Sequence, residues 1–169
     1  FASIAGTILL RLPNRAALVM VRNMSEPSKI SLPPGLVSES ILGPCMPEGC
    51  ADVLQDAGFN TTPETWSYEF PENKMLGVIM IRTTNKKAVG TFGLLKGDTV
   101  SSVVLHLLGV SPSQNGQGLG KTLTLLACNQ AFASGATKVL LTTDDHRLAA
   151  VKVYLSSGFS PYLGSWDRT

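Results

Sequence analysis

The sequence lacks the features that mark several large classes of protein. No apolar run approaches the 18 or more residues that a membrane-spanning helix needs, and the longest clean one, Met75–Ile81, has the length of a strand. Charged residues make up only 15% of the 169 residues, and 14 basic against 12 acidic side chains leave a net charge of +2. A balance this close to neutral offers no electrostatic footprint for nucleic acid. We therefore expect no membrane and no nucleic acid among the partners.

Cysteine and histidine are also scarce. The three cysteines, Cys45, Cys50 and Cys128, are an odd number, which fits a reducing compartment better than a disulfide framework. The two histidines are His106 and His146, and a structural zinc site usually takes four Cys or His ligands from paired motifs. The sequence therefore predicts a cytoplasmic protein with no metal site.

The first 74 residues give a weak pattern. Two short apolar runs, Thr7–Leu12 and Ala16–Val21, flank a proline-containing turn and predict a hairpin or two edge strands. Prolines then interrupt the chain repeatedly, which indicates irregular connections. A short helix is expected from Glu48 to about Ala57, ended by Gly58.

The pattern becomes clear from Met75 onward. Met75–Arg82, Ala88–Leu95 and Thr99–Val110 are apolar runs separated by short polar turns. Strands joined by such turns must be antiparallel neighbours, because a parallel connection needs a long crossover. A helix follows from about Leu119 to Ser134, and the apolar run Lys138–Thr143 then predicts a strand. A strand, a helix and a strand in this order form a parallel crossover unit.

The end of the chain predicts one more helix and one more strand. The helix runs to about Ser157, and its start is expected to be capped by Asp144 or Asp145, which would also pair with Arg147. Phe159–Leu163 is the last predicted strand.

The loop before the first long helix is the strongest candidate for a binding site. It contains three alternating glycines, Gly116, Gly118 and Gly120. Glycine has no Cβ, so the backbone amides there can approach a ligand closely. The first amides of a helix lack internal partners, and the helix dipole favours an anion. The pattern therefore predicts a cradle for a phosphate or diphosphate.

A P-loop is one alternative for this segment. Gly120-Lys121-Thr122 matches the end of the P-loop motif, but the first glycine of that motif falls on Asn115. Antiparallel strands precede the loop, and too few residues follow it for a long parallel sheet. The dinucleotide pattern G-x-G-x-x-G also fails, because Lys121 stands where its last glycine should be.

Two motifs in the right order instead resemble the GNAT superfamily of N-acetyltransferases. Val110-Ser111-Pro112, followed by Asn115-Gly116-Gln117-Gly118-Leu119-Gly120, is similar to that superfamily's acyl-CoA loop, with Asn115 in place of the usual Arg or Gln. The later helix is similar too, since Ala150, Tyr154, Gly158 and Phe159 fall on its pattern. Arg147 stands where that pattern usually has Asn.

The resemblance implies an α/β (α+β) fold with a mixed, mostly antiparallel central sheet and helices on both faces. A parallel strand pair would be splayed around the acyl-CoA. It implies a single acyltransferase domain over residues 1–169, with residues 1–74 as a variable acceptor-side part and 75–163 as the acyl-CoA-binding core. The implied reaction moves an acetyl or other acyl group directly from CoA to a small-molecule or peptide amine in a ternary complex, by a monomer or homodimer.

The resemblance also implies roles for individual residues. The backbone at the end of the long strand would pair with the pantetheine arm, and a backbone N–H there would polarise the thioester carbonyl. The glycine loop would hold the diphosphate. The implied cofactor-binding residues are Leu108, Gly109, Val110, Asn115, Gly116, Gln117, Gly118, Leu119, Gly120 and Lys121.

Tyr154 and His106 are the candidate catalytic residues. A phenol such as Tyr154 can give a proton to the leaving thiolate. His106 is the candidate base, because strand alternation puts it on the same face as Leu108 and Val110. Three glutamates in the segment expected to line the acceptor site are weaker candidates for the base, namely Glu64, Glu69 and Glu72. A non-catalytic acyl-CoA-binding module is the alternative function, because Asn115 departs from the motif and no base is obvious.

Overall fold

The structure is a computed structural model, and it describes residues 17–144 and 147–162. These residues form one seven-stranded sheet with helices on both faces. The elements in chain order are β1 (Ala17–Asn23), β2 (Leu36–Ile41), α1 (Cys50–Asp56), α2 (Trp66–Glu69), β3 (Met75–Thr83), β4 (Ala88–Lys96), β5 (Ser102–Val110), α3 (Leu119–Ala133), β6 (Lys138–Asp144), α4 (Leu148–Ser156) and β7 (Ser160–Pro161).

The sheet has the strand order β2-β3-β4-β5-β6-β1-β7. Strands β5 and β6 are parallel, and the other described neighbours are antiparallel. This arrangement confirms the predicted mixed, mostly antiparallel sheet with one parallel pair. Helix α3 makes the crossover between the two parallel strands, because a parallel connection needs a long intervening segment.

The predicted central strands are confirmed to within a few residues. The third one, β5, begins at Ser102 rather than at Thr99. The difference has a local cause, since Ser102 N donates to Thr99 O at 3.1 Å and the Thr99 amide donates to Ser102 Oγ at 3.2 Å. These two bonds hold residues 99–102 as a turn, so their backbone groups are not free for a strand ladder.

The strand near the start of the chain is not an edge strand. β1 lies between β6 and β7 and pairs antiparallel with both, and its Met20 is fully buried. The prediction of an edge strand at 16–21 is therefore wrong. The predicted partner, Thr7–Leu12, lies outside the described residues. Apolar alternation shows that a segment is a strand, but it does not show which strand will be its neighbour.

Two apolar clusters cover the two faces of the sheet. The larger one packs α3 and α4 against the sheet and includes Phe92, Leu123 and Phe159. The smaller one packs α1 and α2 on the opposite face and includes Leu54 and Trp66. We call these the α3/α4 face and the α1/α2 face. Side chains from the two faces can meet only where the sheet itself is open.

The α1/α2 face is tightly packed at Gly93 on β4. A Cβ built at Gly93 would overlap the ring of Phe70. We expect Gly93→Ala to lower the free energy of unfolding by about 1–3 kcal/mol, because overpacking forces neighbouring side chains to shift. A denaturant titration measures this loss. Gly120→Ala is the matched control, since a Cβ there meets no atom within 4 Å; equal stability of the two variants would contradict the expectation.

Candidate active site

The two parallel strands separate partway along their length. β5 and β6 pair at Ser102–Lys138, Val103–Val139 and Val104–Leu140, but β5 continues to Val110 and β6 to Asp144. A cavity of about 660 Å³ lies where the pairing ends, and its lining includes residues 104–108 of one strand and 141–144 of the other. The predicted splayed strand pair is therefore present, and it opens the sheet.

Strand β5 contains a bulge, which changes the face of the sheet on which the later side chains of this strand lie. Gly93 pairs with His106 and Thr91 with Gly109, so two residues of β5 oppose the one between them on β4. Leu107 adopts the left-handed φ of 52° that the bulge requires. Such an insertion reverses the alternation of faces beyond it.

The bulge corrects one prediction about His106. Its ring lies 5.3 Å from the Phe70 ring, on the α1/α2 face, whereas Leu108 and Val110 pack against the α3/α4 cluster. The expectation that His106 shares a face with these two residues is therefore wrong. Strand alternation alone could not show the extra residue.

His106 forms a close pair with Glu69 of α2. His106 Nε2 lies 2.7 Å from Glu69 Oε2, and both side chains are about four-fifths buried, with 19% and 20% exposed. In the neutral ring, a hydrogen on Nε2 that is donated to the carboxylate leaves the lone pair on Nδ1. The pair therefore presents a ring nitrogen that can accept a proton, oriented by a carboxylate. Both residues line the cavity.

Tyr154 of α4 lines the same cavity from the opposite face of the sheet. Its ring contacts the Phe159 ring edge to face, with centroids 6.0 Å apart, and packs against the α3/α4 cluster. Burial raises the pKa of the Tyr154 phenol, and the positive charge of Arg147 opposes part of that rise. The group is therefore held as a protonated phenol, which is the form that can donate a proton.

Arg147, rather than an aspartate, occupies the start of α4. Arg147 is the N-cap residue of this helix, and Asp144 is the last residue of β6. The predictions that Asp144 caps the helix and pairs with Arg147 are wrong, because the described residues show no side-chain cap at this helix start and no ion pair between the two side chains. The Arg147 amide donates only to the backbone carbonyl of Asp144, at 3.1 Å. One buried carboxylate oxygen of Asp144 has no hydrogen-bond partner among the described residues. Asp145 lies outside the described residues. The guanidinium instead donates from Nη2 to Ala57 O at 2.9 Å and lies 4.7 Å from the centre of the Phe59 ring.

The glycine loop leaves a row of backbone amides without acceptors. Gly116 and Gly118 have φ of 80° and 70°, which glycine adopts without strain. The amides of residues 116–121 donate to no acceptor in the part of the chain that the structure describes. The Asn115 amide, in contrast, donates to Pro112 O at 3.1 Å. A Cβ added at any of the three loop glycines would meet no atom within 4 Å, so the loop faces open space.

The predicted site residues fall into two groups. Tyr154, His106 and Leu108 line the cavity, whereas the loop from Asn115 to Lys121 lies beyond the end of β5 and outside its lining. Gly109 has no open space on the side of its missing Cβ, because an added Cβ would lie 3.2 Å from Ala57 Cβ of the α1 cap.

Two parts of the site do not follow from the sequence. The cavity wall formed by residues 57–61 and the contacts that Arg147 makes with this wall were not predicted. The one available signal was the departure of Arg147 from the usual Asn.

No group of three or more His, Cys, Asp or Glu side chains within residues 17–144 and 147–162 could hold a metal ion. In the same ranges, none of the helices combines the length and the apolar character needed to cross a bilayer. Burial raises the pKa of the Cys50 thiol to about 11 and also raises that of Cys128, so neither thiol is ionised near neutral pH.

Curated relatives match a part of the chain. The chain is 35% identical over 68 residues to a mycothiol acetyltransferase of Frankia casuarinae, covering 38% of this chain and 20% of that protein. It is 36% identical over 91 residues to a mycothiol acetyltransferase of Nocardiopsis dassonvillei, covering 54% of this chain and 26% of that protein. The matched part therefore spans about a fifth to a quarter of the length of these relatives.

Solved structures share the fold. A GCN5-related N-acetyltransferase from Sphaerobacter thermophilus superposes with a TM-score of 0.69 at 18% identity, covering 96% of this chain and 54% of that one. A Bacillus subtilis acetyltransferase in complex with CoA superposes with a TM-score of 0.60 at 20% identity, covering 73% of this chain and 75% of that one. The sequence model of the Acetyltransferase (GNAT) family matches residues 41–159, more than half of the chain, and the chain therefore belongs to the GNAT acetyltransferase family.

Proposed function

We propose that this chain transfers an acetyl group from acetyl-CoA to the amine of a small-molecule acceptor. The observation that carries the proposal is the opening between β5 and β6, into which Tyr154 and the pair His106–Glu69 reach from opposite faces of the sheet. A base and an acid on opposite sides of one cavity are what acyl transfer to an amine needs, because one proton leaves the nucleophile and another goes to the leaving group.

The residues present fit a CoA co-substrate. The amides of residues 116–121 have no acceptor within the described residues, and they lie at the start of α3, where the helix dipole favours an anion. Gly120 supports the same interpretation. It needs no left-handed φ, and a Cβ there would meet no atom of the protein. Close approach of the CoA diphosphate would explain why a side chain is absent at this position.

The proposed chemistry assigns one proton transfer to each face. Acetyl-CoA supplies an activated thioester when it is bound. His106 Nδ1 would accept the proton that the acceptor ammonium must lose before its nitrogen can attack. The Tyr154 hydroxyl would give its proton to the sulfur as the C–N bond forms and the C–S bond breaks. The nitrogen must lose a second proton to become the amide, and this proton would return the tyrosinate to a phenol. Glu69 would hold the His106 ring in the orientation and tautomer that the transfer needs.

The cavity favours a small acceptor. Its volume of about 660 Å³ lies within the range of sites that enclose small molecules. The relatives named mycothiol acetyltransferase suggest the same class. We therefore place a small-molecule amine ahead of a peptide amine as the acceptor.

Thiol release from acetyl-CoA in the presence of amines tests the proposed function. The panel contains amino sugars, amino acids, polyamines and a lysine-containing peptide. Amine-dependent thiol release, with a small amine as the best acceptor, is the expected result. Saturable binding of acetyl-CoA without thiol release from any amine would favour the non-catalytic module instead. A larger thermal shift with ATP and magnesium than with acetyl-CoA would favour the P-loop alternative.

Replacing Gly120 by alanine separates ligand binding from folding. We expect the variant to be as stable as the parent or more stable by up to about 1 kcal/mol, because alanine is the better helix residue. We also expect acetyl-CoA binding to weaken about tenfold, because the methyl group would crowd the amides that hold the diphosphate. Thermal unfolding and calorimetric titration with acetyl-CoA measure the two effects. Unchanged affinity would show that the co-substrate does not approach this turn.

A further inference from the structure

Arg147 connects the two faces of the sheet across the opening between β5 and β6. Its backbone begins α4 on the α3/α4 face, whereas its guanidinium contacts residues at the end of α1 on the other face. Nη2 donates to Ala57 O at 2.9 Å, and the guanidinium carbon lies 4.7 Å from the centre of the Phe59 ring. Phe59 in turn packs against the α1/α2 cluster. One side chain therefore spans the opening.

The partners of Arg147 make the contact specific for a guanidinium. A planar, charged group can donate to a carbonyl and cover an aromatic ring at the same time, and lysine cannot reproduce both interactions. Among the described residues, no carboxylate forms an ion pair with Arg147. Within residues 17–144 and 147–162, its guanidinium therefore interacts with the end of α1 and lines the cavity without a carboxylate partner.

We propose that Arg147 is a positioning residue that joins the two faces of the site through its hydrogen bond to Ala57 and its contact with the Phe59 ring. These two non-covalent contacts, which we call the crosslink, fix the wall of residues 57–61 relative to α4, the helix that carries Tyr154. The effect on the acceptor site that this inference includes rests on the proposed function. Residues 57–61 and Arg147 all line the cavity, so the crosslink sets the distance between the wall on one face and the phenol on the other. The predicted partners of Arg147, Asp144 and Asp145, would have tied it to its own helix start and could not have done this.

The charge of Arg147 adds a second effect on Tyr154. Burial raises the pKa of the phenol, and the guanidinium is the charged group that opposes the rise. Loss of the positive charge would therefore make the phenol a weaker acid and slow protonation of the leaving thiolate. The other titratable groups that line the cavity are Tyr68, Glu69, Lys74, Lys96, His106 and Asp144. None of them takes the place of Arg147 at the start of α4.

Two substitutions separate the crosslink from the charge. Arg147→Met keeps the length of the side chain and removes both the charge and the donor. Arg147→Lys keeps the charge and loses the planar contact with Phe59. Lys152→Met is the matched control, because Lys152 is an exposed cation on the same helix. The readouts are hydrogen exchange of residues 57–61, calorimetric affinity for acetyl-CoA, and kcat and KM with the best amine of the panel.

We expect Arg147→Met to speed exchange of residues 57–61 about tenfold and to raise the acceptor KM by a similar factor, because a hydrogen bond from a charged donor is lost. It should also lower kcat, while affinity for acetyl-CoA stays unchanged. Arg147→Lys should recover kcat but not the KM. Lys152→Met should match the parent in all four readouts.

Three outcomes would overturn the inference. Parent-like exchange of residues 57–61 in Arg147→Met would show that no crosslink exists. An unchanged acceptor KM in that variant would show that the crosslink does not shape the acceptor site. Equal kcat values in Arg147→Lys and Arg147→Met would show that the charge of Arg147 does not affect the rate. Failure of the proposed function is distinguishable from these outcomes. The parent would then release no thiol with any amine, while the exchange comparison would still decide whether the crosslink exists.

Discussion

Replacing Tyr154 by phenylalanine is expected to lower kcat about 100- to 1,000-fold, which lies within the range of roughly 100- to 10,000-fold that a positioned general acid contributes. The substitution removes one oxygen and keeps the ring that packs against Phe159, so the fold should be retained. Affinity for acetyl-CoA should also be retained, because the diphosphate would be held at the glycine loop. Single-turnover measurements of thiol release, with calorimetric affinity in parallel, separate the two quantities.

Tyr68→Phe is the matched control for this prediction. Tyr68 also lines the cavity but is 67% exposed, and we give it no part in the chemistry. Its variant should keep the parent kcat. An unchanged kcat in Tyr154→Phe, measured under conditions where chemistry limits the rate, would remove Tyr154 from the mechanism.

The pH profile gives a second test of Tyr154. An acid acts in its protonated form, which exists below its pKa. Burial raises the pKa of this phenol, so the active form persists to higher pH than an ordinary tyrosine would allow. We expect kcat to show no decline from deprotonation of Tyr154 below about pH 10, the ordinary value for tyrosine. A decline well below that pH, absent from Tyr154→Phe, would contradict the raised pKa.

Replacing His106 by alanine is expected to lower kcat/KM roughly 100-fold, because the acceptor ammonium loses the group that takes its proton. Added imidazole should restore part of the activity, since the substitution leaves space beside Glu69. Rates with and without imidazole measure these effects.

Glu69→Gln is the companion variant for His106. The amide keeps a side chain of the same size next to Nε2 but loses the charge that orients the ring, so the loss should be smaller than in His106→Ala. A loss of less than about threefold in His106→Ala would mean that the base is elsewhere or is a water molecule.

The sequence predicted those parts of the fold that depend on local pattern. The strands β3, β4 and β5 follow from apolar runs between polar turns, and α3 follows from the glycine loop at its start and from its apolar pattern. In each case the signal lies within about a dozen residues. The position of Tyr154 on the cavity also agrees with its place in the helix motif.

Features that depend on distant contacts could not be predicted in the same way. The neighbours of β1 are set by which sheet edge is available, and the apolar pattern of the strand is the same for any neighbour. The bulge at Leu107 leaves no mark in the strand-like pattern of β5, so simple alternation predicts the wrong face for His106. The contact of Arg147 with Ala57 joins residues 90 positions apart, and no local pattern records it.

A crystal structure with bound CoA tests the central claim most directly. The account predicts that diphosphate oxygens accept hydrogen bonds from the amides of residues 116–121. It also predicts that the CoA sulfur lies in the opening between β5 and β6, within hydrogen-bonding distance of the Tyr154 hydroxyl. A diphosphate bound away from this loop, or a sulfur on the far side of β5 from Tyr154, would contradict it.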